Sequence, residues 1–382
     1  MPRNILISAG EASGDLYAAL LVDELRRIWP DARFFGCTGP RMRRAGVETV
    51  VDAASLAVVG LVEVVSHIPR IYGEFRKLLA AARRSRPQLA ILTDSPDFHL
   101  RLARKLHRQG VPVVYLVAPQ VWAWRKGRLP GMRRTLRHVL CIFPFEEEFF
   151  RRRGLPATYI GHPLAGIVKP SLPRAEFFRK HRLPPGRPLI SVLPGSRRGE
   201  AARHLPPLLD AVGRIYRDHA ASFILPASAT AGVGFFQERI GGAPIKVIDG
   251  ESWDSIAHAD LALAASGTVT VEAALLGTPM VTFYKVTATS WLLGRMLVRV
   301  PFYSMVNLIA GRAVVPELMQ SNLTGERLAA EAQRLLGDDG ARVRMRADLA
   351  EVAARLAPAS EPMSRASGII QDLMEGQLTH VS

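Results

Sequence analysis

Short apolar runs that end in a glycine- or serine-bearing turn and give way to a helical pattern recur along the whole chain, and this alternation constrains the fold more than any single residue. The clearest instance is Leu261–Ala265, followed by Ser266-Gly267-Thr268 and a helical pattern that stops at Gly277, just before Pro279. It reads as strand, tight turn and helix. Free backbone N–H groups at such a helix start favour an anion. Glu272 falls one turn into the helix, where a carboxylate behind a bound diphosphate can accept hydrogen bonds from a ribose. The same residues also suit an ordinary capped helix with Glu272 on its exposed first turn.

The alternation begins at the N-terminus. Asn4–Ser8 reads as a buried strand, Gly10-Glu-Ala-Ser-Gly-Asp15 as a loop and Leu16–Ile28 as a helix, and strands follow at Arg33–Cys37, Leu89–Thr93, Val113–Val117 and Val139–Phe143. Strands separated by helices imply a parallel sheet covered on both faces, with ligands at the carboxyl ends of its strands. The loop Gly10–Asp15 is no dinucleotide fingerprint, because its glycine spacing is wrong and Glu11 repels a phosphate. Around Gly161-His-Pro163 through Pro173, and again at Leu183–Pro188, proline and glycine accumulate, which marks the region between domains. A second series then runs through Leu189–Leu193, Ser222–Pro226, Ile245–Ile248, Leu261–Ala265 and Met280–Tyr284. Its first turn, Pro194-Gly-Ser-Arg-Arg-Gly-Glu200, offers Arg197 and Arg198 to an anion, or simply to solvent. We expect domains over 1–168 and 169–355, and a helical tail over 356–382 that returns to the first domain or pairs with another subunit.

At 382 residues the chain accommodates two domains with separate cores. Its 50 Lys+Arg against 34 Asp+Glu give a formal charge of +16, which favours nucleic acid, nucleotides or an anionic membrane as partner. Cys37 and Cys141 each lie inside an apolar stretch, so neither a disulfide framework nor a zinc site is expected, and the protein is read as reduced and cytosolic. No apolar run is long enough for a transmembrane helix, and Glu11 and Asp15 interrupt any secretory signal.

Three further stretches carry chemistry. Thr93-Asp-Ser-Pro-Asp-Phe-His99 ends a strand with two carboxylates, so Asp94 or Asp97 can act as a general base, although Asp97 also suits a helix start. Ala118-Pro-Gln-Val-Trp-Ala-Trp-Arg125 brings two tryptophans and an arginine to the same rim, for packing or as an aromatic wall for a sugar or acyl chain. Leu56–Arg84 is strongly apolar before Pro69 and basic and amphipathic after it, a pattern shared by lipid-interface segments and by ordinary core-to-surface helices. Trp291–Tyr303 repeats the greasy, arginine-interleaved character.

Taken together, Ala9-Gly-Glu-Ala-Ser-Gly-Asp15, Ser95-Pro-Asp-Phe98, Pro119-Gln-Val-Trp-Ala-Trp-Arg125, Gly161-His-Pro163, Leu193-Pro-Gly-Ser-Arg197, Ser266-Gly-Thr268 with Glu272, and Asn307-Leu with Val315-Pro-Glu-Leu318 resemble the lipid-A-disaccharide synthase family. The blocks run in order across most of the chain. The resemblance implies an α/β protein in the GT-B arrangement, two Rossmann-like parallel-sheet domains facing a central cleft. It implies an inverting glycosyltransferase that joins UDP-2,3-diacylglucosamine to 2,3-diacylglucosamine 1-phosphate and releases UDP. By position, Asp97 is the implied base with Glu11 nearby, while Arg197, Ser266, Gly267, Thr268, Glu272, Asn307 and Gln320 fall where the family holds UDP. His99 departs from the family's usual asparagine, which puts the hydrogen bonding around Asp97 in question.

With no Asp-x-Asp pair in the chain, UDP is expected to be held without a metal, and no other cofactor is expected. Acylated substrates make Val58, Val59, Leu61, Val62, Val64, Val65 and Ile68 the expected membrane and acyl contacts, with the anionic inner face of the inner membrane as partner. A homodimer is a further expectation, and nucleic acid is not an expected partner. The rival readings are a GT-B transferase or UDP-sugar 2-epimerase with a soluble substrate, and a non-enzymatic nucleic-acid binder supported by charge alone.

Overall fold

A computed structural model describes residues 3–56, 61–287, 291, 300–357 and 360–376, with only the backbone described over 61–68. The chain divides into two compact units, Met1–Pro163 with Leu356–Ser382, and Leu164–Arg355. The expected boundary at 168 thus falls a few residues earlier, because the backbone N–H of His162 bonds to the carbonyl of Leu356 while Ser171 and Leu172 bond to Asp254 of the second unit.

The first unit contains β1 (Asn4–Ala9), α1 (Ala12–Ile28), β2 (Arg33–Thr38), α2 (Pro40–Arg44), β3 (Glu48–Asp52), α3 (Leu61–Ser85), β4 (Leu89–Thr93), α4 (Pro96–His107), β5 (Val113–Leu116), α5 (Leu129–Thr135), β6 (His138–Cys141), α6 (Pro144–Arg151) and β7 (Ala157–Tyr159). Its seven-stranded sheet has the order β3-β2-β1-β4-β5-β6-β7, with every pairing parallel. The second unit contains α7 (Arg174–Lys180), β8 (Leu189–Leu193), α8 (Arg198–Asp218), β9 (Ser222–Ala227), α9 (Val233–Ile240), β10 (Ile245–Asp249), α10 (Ser252–Ala257), β11 (Leu261–Ala265), α11 (Thr268–Leu275), β12 (Met280–Tyr284), α12 (Met305–Ala310), β13 (Glu317–Met319), α13 (Gly325–Gly337) and α14 (Asp339–Leu356). Its six-stranded sheet, β10-β9-β8-β11-β12-β13, repeats the topology of the first and is again parallel throughout. The last helix, α15 (Pro362–Glu375), packs on α1 in the first unit.

Strands such as Leu189–Leu193 and Leu261–Ala265 are apolar at every position because helices cover both faces of a parallel sheet, and all ten residues are buried. The stop signal at Gly277 works as its sequence suggests. Gly277 takes φ +68°, its N–H bonds to the carbonyl of Ala274, and the next N–H, from Thr278, bonds to Ala273, which closes α11 with a left-handed cap.

Two expectations need correction. Gly10–Asp15 is not a loop, since α1 already begins at Ala12. Its glycine at 14 answers to packing rather than to a turn: a Cβ there would lie 1.7 Å from Oδ2 of Asp94. Asp15, buried, turns its carboxylate to accept N–H bonds from Gly39 (2.8 Å), Arg41 (2.9 Å) and Met42 (3.1 Å), which caps α2. The edge strands β3, β7 and β13 were also absent from the sequence reading. They are short, and their residues are only partly buried, so they lack the continuous apolar run that marks the inner strands.

Candidate active site

In a doubly wound sheet the strand order reverses at one place, and the diverging connections there leave a crevice at the carboxyl ends. In the first unit the reversal lies between β1 and β4, and in the second between β8 and β11. Ala9 pairs with Thr93 and Leu193 lies beside Ala264, so each unit's two candidate turns leave neighbouring strands side by side.

At the first crevice, Asp94 and Ser95 both adopt left-handed backbone, with φ of +53° and +36°. The strain is held by a network: Asp94 Oδ1 and Oδ2 accept the N–H groups of Gly10 (2.8 Å) and Glu11 (3.0 Å), and the Tyr115 hydroxyl donates to the Asp94 carbonyl. Burial pushes the Asp94 carboxyl up to about 7, against the pull of those two N–H bonds. His99 is fully buried and lies between Ser8 Oγ (2.8 Å from Nε2) and the Asp94 carbonyl (3.0 Å from Nδ1). Burial lowers its pKa to about 4, so the neutral ring donates from Nδ1 to the carbonyl and accepts the Ser8 hydroxyl at Nε2. The departure at position 99 therefore ties β1 to the turn after β4. It does not touch the Asp97 carboxylate, which stands in the first turn of α4, 66% exposed, paired with Arg125 (2.7 and 2.8 Å) and Arg128. Glu11 is exposed at the N-cap of α1.

The tryptophans of the 119–125 stretch divide in role. Trp122 is buried and donates its indole N–H to Glu146 (3.0 Å), while Trp124 is 40% exposed with the Arg125 guanidinium 3.9 Å above its ring. Glu146 was missed by the sequence reading. It is fully buried, burial pushes its carboxyl up to about 8, and it also accepts the N–H of Phe143 (3.2 Å), the helix-start residue three positions earlier. Phe143 stands where a capping Ser, Thr, Asp or Asn would have marked the pair, so the sequence carries no local signal for it.

At the second crevice, Ser266-Gly267 leads directly into α11, whose first turn has no side-chain cap. Ser266 Oγ donates to the carbonyl of Tyr303 (2.9 Å), and Gly267 and Thr268 are exposed. Glu272 is half-buried rather than on an exposed turn. Burial raises its pKa, and the Trp253 side chain, on α10, hydrogen-bonds its carboxylate. Arg197 is the exposed N-cap of α8. His204, unremarked in the sequence, fixes that turn: its Nδ1 lies 2.8 Å from the Pro194 carbonyl and its Nε2 accepts the N–H of Lys285 (3.0 Å), joining the end of β8 to the end of β12.

Asn307 is buried with all its capacity committed. Its amide donates to Val315 O (2.9 Å) and Glu317 Oε1 (2.8 Å), and its oxygen accepts Val314 N–H (2.7 Å) and Val315 N–H (3.0 Å). Gln320, at φ +55°, lines a cleft of about 210 Å³ together with Ser266, Tyr284, Trp291, Tyr303 and Met319.

Of the expected membrane contacts, Val58 and Val59 lie outside the described residues, as do the side chains of Leu61, Val62, Val64, Val65 and Ile68. Beyond Pro69, α3 buries Leu78, Ala81 and Ala82 and exposes Arg70, Tyr72, Arg76, Lys77, Arg83 and Arg84. No helix among the described residues is long and apolar enough to cross a membrane.

Two parallel sheets of the same doubly wound order, each with polar turns at its strand reversal, define the GT-B class of nucleotide-sugar enzymes. Solved structures agree over nearly the full chain: a UDP-GlcNAc 2-epimerase from Neisseria meningitidis bound to UDP-GlcNAc (TM-score 0.63, 11% identity, 98% of this chain and 100% of that one) and CalG4, the calicheamicin glycosyltransferase (0.62, 16%, 99% and 100%). At such identities the likeness concerns the fold. The sequence goes further, since residues 5–364 match the lipid-A-disaccharide synthetase family, and the chain is 74% identical to the lipid-A-disaccharide synthase of Solibacter usitatus (strain Ellin6076) over 382 residues, 100% of both proteins. The chain belongs to the lipid-A-disaccharide synthase family.

Proposed function

We propose that this enzyme transfers 2,3-diacylglucosamine from UDP to the 6-hydroxyl of 2,3-diacylglucosamine 1-phosphate, giving the β-1,6-linked disaccharide 1-phosphate and UDP. Asp97 takes the hydroxyl proton as the acceptor oxygen bonds to the anomeric carbon, and the bond from that carbon to the diphosphate breaks on the opposite face. Arg125 and Arg128 fix the carboxylate's direction, and Glu11 lies on the acceptor side. Charge developing on the leaving diphosphate is met by the amides at the start of α11, Ser266, Gly267, Thr268 and Arg197. Glu272, oriented by Trp253, receives the ribose hydroxyls. Gln320 borders the sugar, and Asn307 acts through Glu317 on the loop that carries Tyr303.

The observation that carries this reading is the placement of carboxylates at one strand reversal and of an uncapped helix start with an arginine at the other. The protein works as a peripheral enzyme on the cytoplasmic face of the inner membrane, supported by the charge of +16 and the basic exposed face of α3. Mass spectrometry of a mixture of protein with the two diacylated glucosamines tests the reaction. The expected product is the tetraacyl disaccharide monophosphate with one UDP per linkage; epimerised UDP-sugar, or no product at all, sinks the proposal.

A further inference from the structure

The cleft lined by Ser266, Tyr284, Trp291, Tyr303, Met319 and Gln320 has a composition that a nucleoside diphosphate does not require. Its walls are two tyrosines, a tryptophan and a thioether, with the Trp291 and Tyr303 rings 6.1 Å apart and tilted by 45°. The backbone of Tyr303 is clamped from both sides, its N–H by Glu317 Oε2 (3.0 Å) and its carbonyl by Ser266 Oγ (2.9 Å), and Glu317 is in turn held by Asn307. One wall therefore exists before any ligand arrives. Ser266 belongs both to this cleft and to the turn assigned to the diphosphate, so the two are continuous.

The sheet order gives the ligand a direction. Glu272 is bonded to Trp253 on α10, which packs on β9 to one side of the strand reversal, whereas the cleft is walled by the ends of β12 and β13 on the other side. A nucleotide with its ribose at Glu272 and its diphosphate at 266–268 turns its sugar toward β12 and β13. We infer that this cleft is the subsite for one acyl chain of the UDP-diacylglucosamine donor. The inference rests on the proposed reaction and adds the residues that read the donor's lipid. A volume of about 210 Å³ accommodates about seven groups of water or methylene size, which is the sugar-proximal part of a long chain.

Each methylene transferred from water into such a site changes affinity about fourfold. With the full-length protein and donors of increasing acyl length, kcat/KM is expected to climb until the cleft is full and then level off. Met319→Trp, which fills the cleft, is expected to lower kcat/KM for long-chain donors about tenfold or more, to flatten the length profile, and to leave the affinity for UDP within about twofold. Tyr303→Ala, which opens the wall, is expected to move the plateau to longer chains. UDP titration of each variant reports its folding. An unchanged length profile in both variants overturns the subsite, and so does a matching loss of UDP affinity in Met319→Trp, which gives the cleft to the nucleoside. Wild-type protein that binds UDP but transfers no sugar at any chain length removes the reaction itself, an outcome distinct from transfer that ignores chain length.

Discussion

Replacing Asp97 by asparagine separates chemistry from architecture, because the structure gives this side chain almost no structural work. Its carboxylate is 66% exposed and pairs with the Arg125 and Arg128 guanidinium groups. Exposed ion pairs of this kind contribute about 0–1 kcal/mol, and an asparagine oxygen still accepts from one arginine, so the unfolding midpoint is expected to shift by no more than a few degrees. As a general base Asp97 is worth about 10²–10⁴ in rate, or roughly 3–5 kcal/mol of barrier. Turnover of Asp97→Asn, followed as disaccharide formed from the two diacylated substrates, is expected to fall by that factor, with UDP affinity unchanged because the nucleotide turn is in the other unit. The rival base is Asp94, whose carboxyl is pushed to about 7 and whose oxygens are occupied by Gly10 and Glu11. Near-normal turnover in Asp97→Asn, with a rise in rate through pH 7 that vanishes in Asp94→Asn, would refute the assignment and move the base to Asp94.

Three other outcomes follow from single sites. Glu272→Ala is expected to weaken UDP binding by about tenfold or more, the loss of a charge-assisted hydrogen bond, and unchanged titration heats would remove Glu272 from the ribose. Asn307→Ala removes four hydrogen bonds, three of them to the Val314 and Val315 backbone, and is expected to cost about 2–4 kcal/mol in urea unfolding; Asn307→Asp does not rescue it, since a carboxylate then faces Val315 O and Glu317, and full stability in either variant contradicts the network. Stability of the first unit is expected to peak near pH 6.5: burial holds His99 and His138 down to about 4 and His162 to about 3, so these neutral rings favour folding increasingly up to 6.5, whereas Asp94 and Glu146, raised to about 7 and 8, keep protons that the unfolded chain has released and lower stability up to pH 8. Urea midpoints read by tryptophan fluorescence that keep rising from pH 6.5 to 8 would contradict the sign.

The inner strands and the helix stop at Gly277 were legible because each is written in a local pattern, an apolar run of strand length or a glycine before a proline. The same locality explains what was misread. Glycine and serine in Gly10–Asp15 suggest a loop, but Gly14 is small because Asp94, 80 residues later in sequence, needs the space. Asp15 looks like a surface carboxylate until Gly39, Arg41 and Met42 fold against it. His204, Glu146 and Trp253 have no local signature of function; each acts by joining elements that only the fold brings together. Asn307 came from resemblance alone, and its four bonds give it a physical reason to be asparagine, since no other side chain offers two donors and two acceptors at that length.

The repeated topology also lets the two units carry different groups at the same place in the fold. Each sheet presents one crevice at its strand reversal, but the first places Glu11, Asp94 and Asp97 at its turns, and the second places Arg197, a serine and an uncapped helix start there, with Glu272 set back one turn into α11. A carboxylate base placed beside a diphosphate would raise the cost of both charges, because like charges at close range in a partly buried site repel strongly. In the proposed reaction two copies of one scaffold divide the work: one crevice holds the Asp97 carboxylate beside Arg125 and Arg128, and the other offers the N–H groups at the start of α11 to the leaving group. On this argument, placing a carboxylate at the phosphate turn itself, as in Thr268→Asp, harms the enzyme through the nucleotide, raising the dissociation constant for UDP while the acceptor's KM stays put. An effect on the acceptor alone would show that the division of labour between the units is drawn in the wrong place.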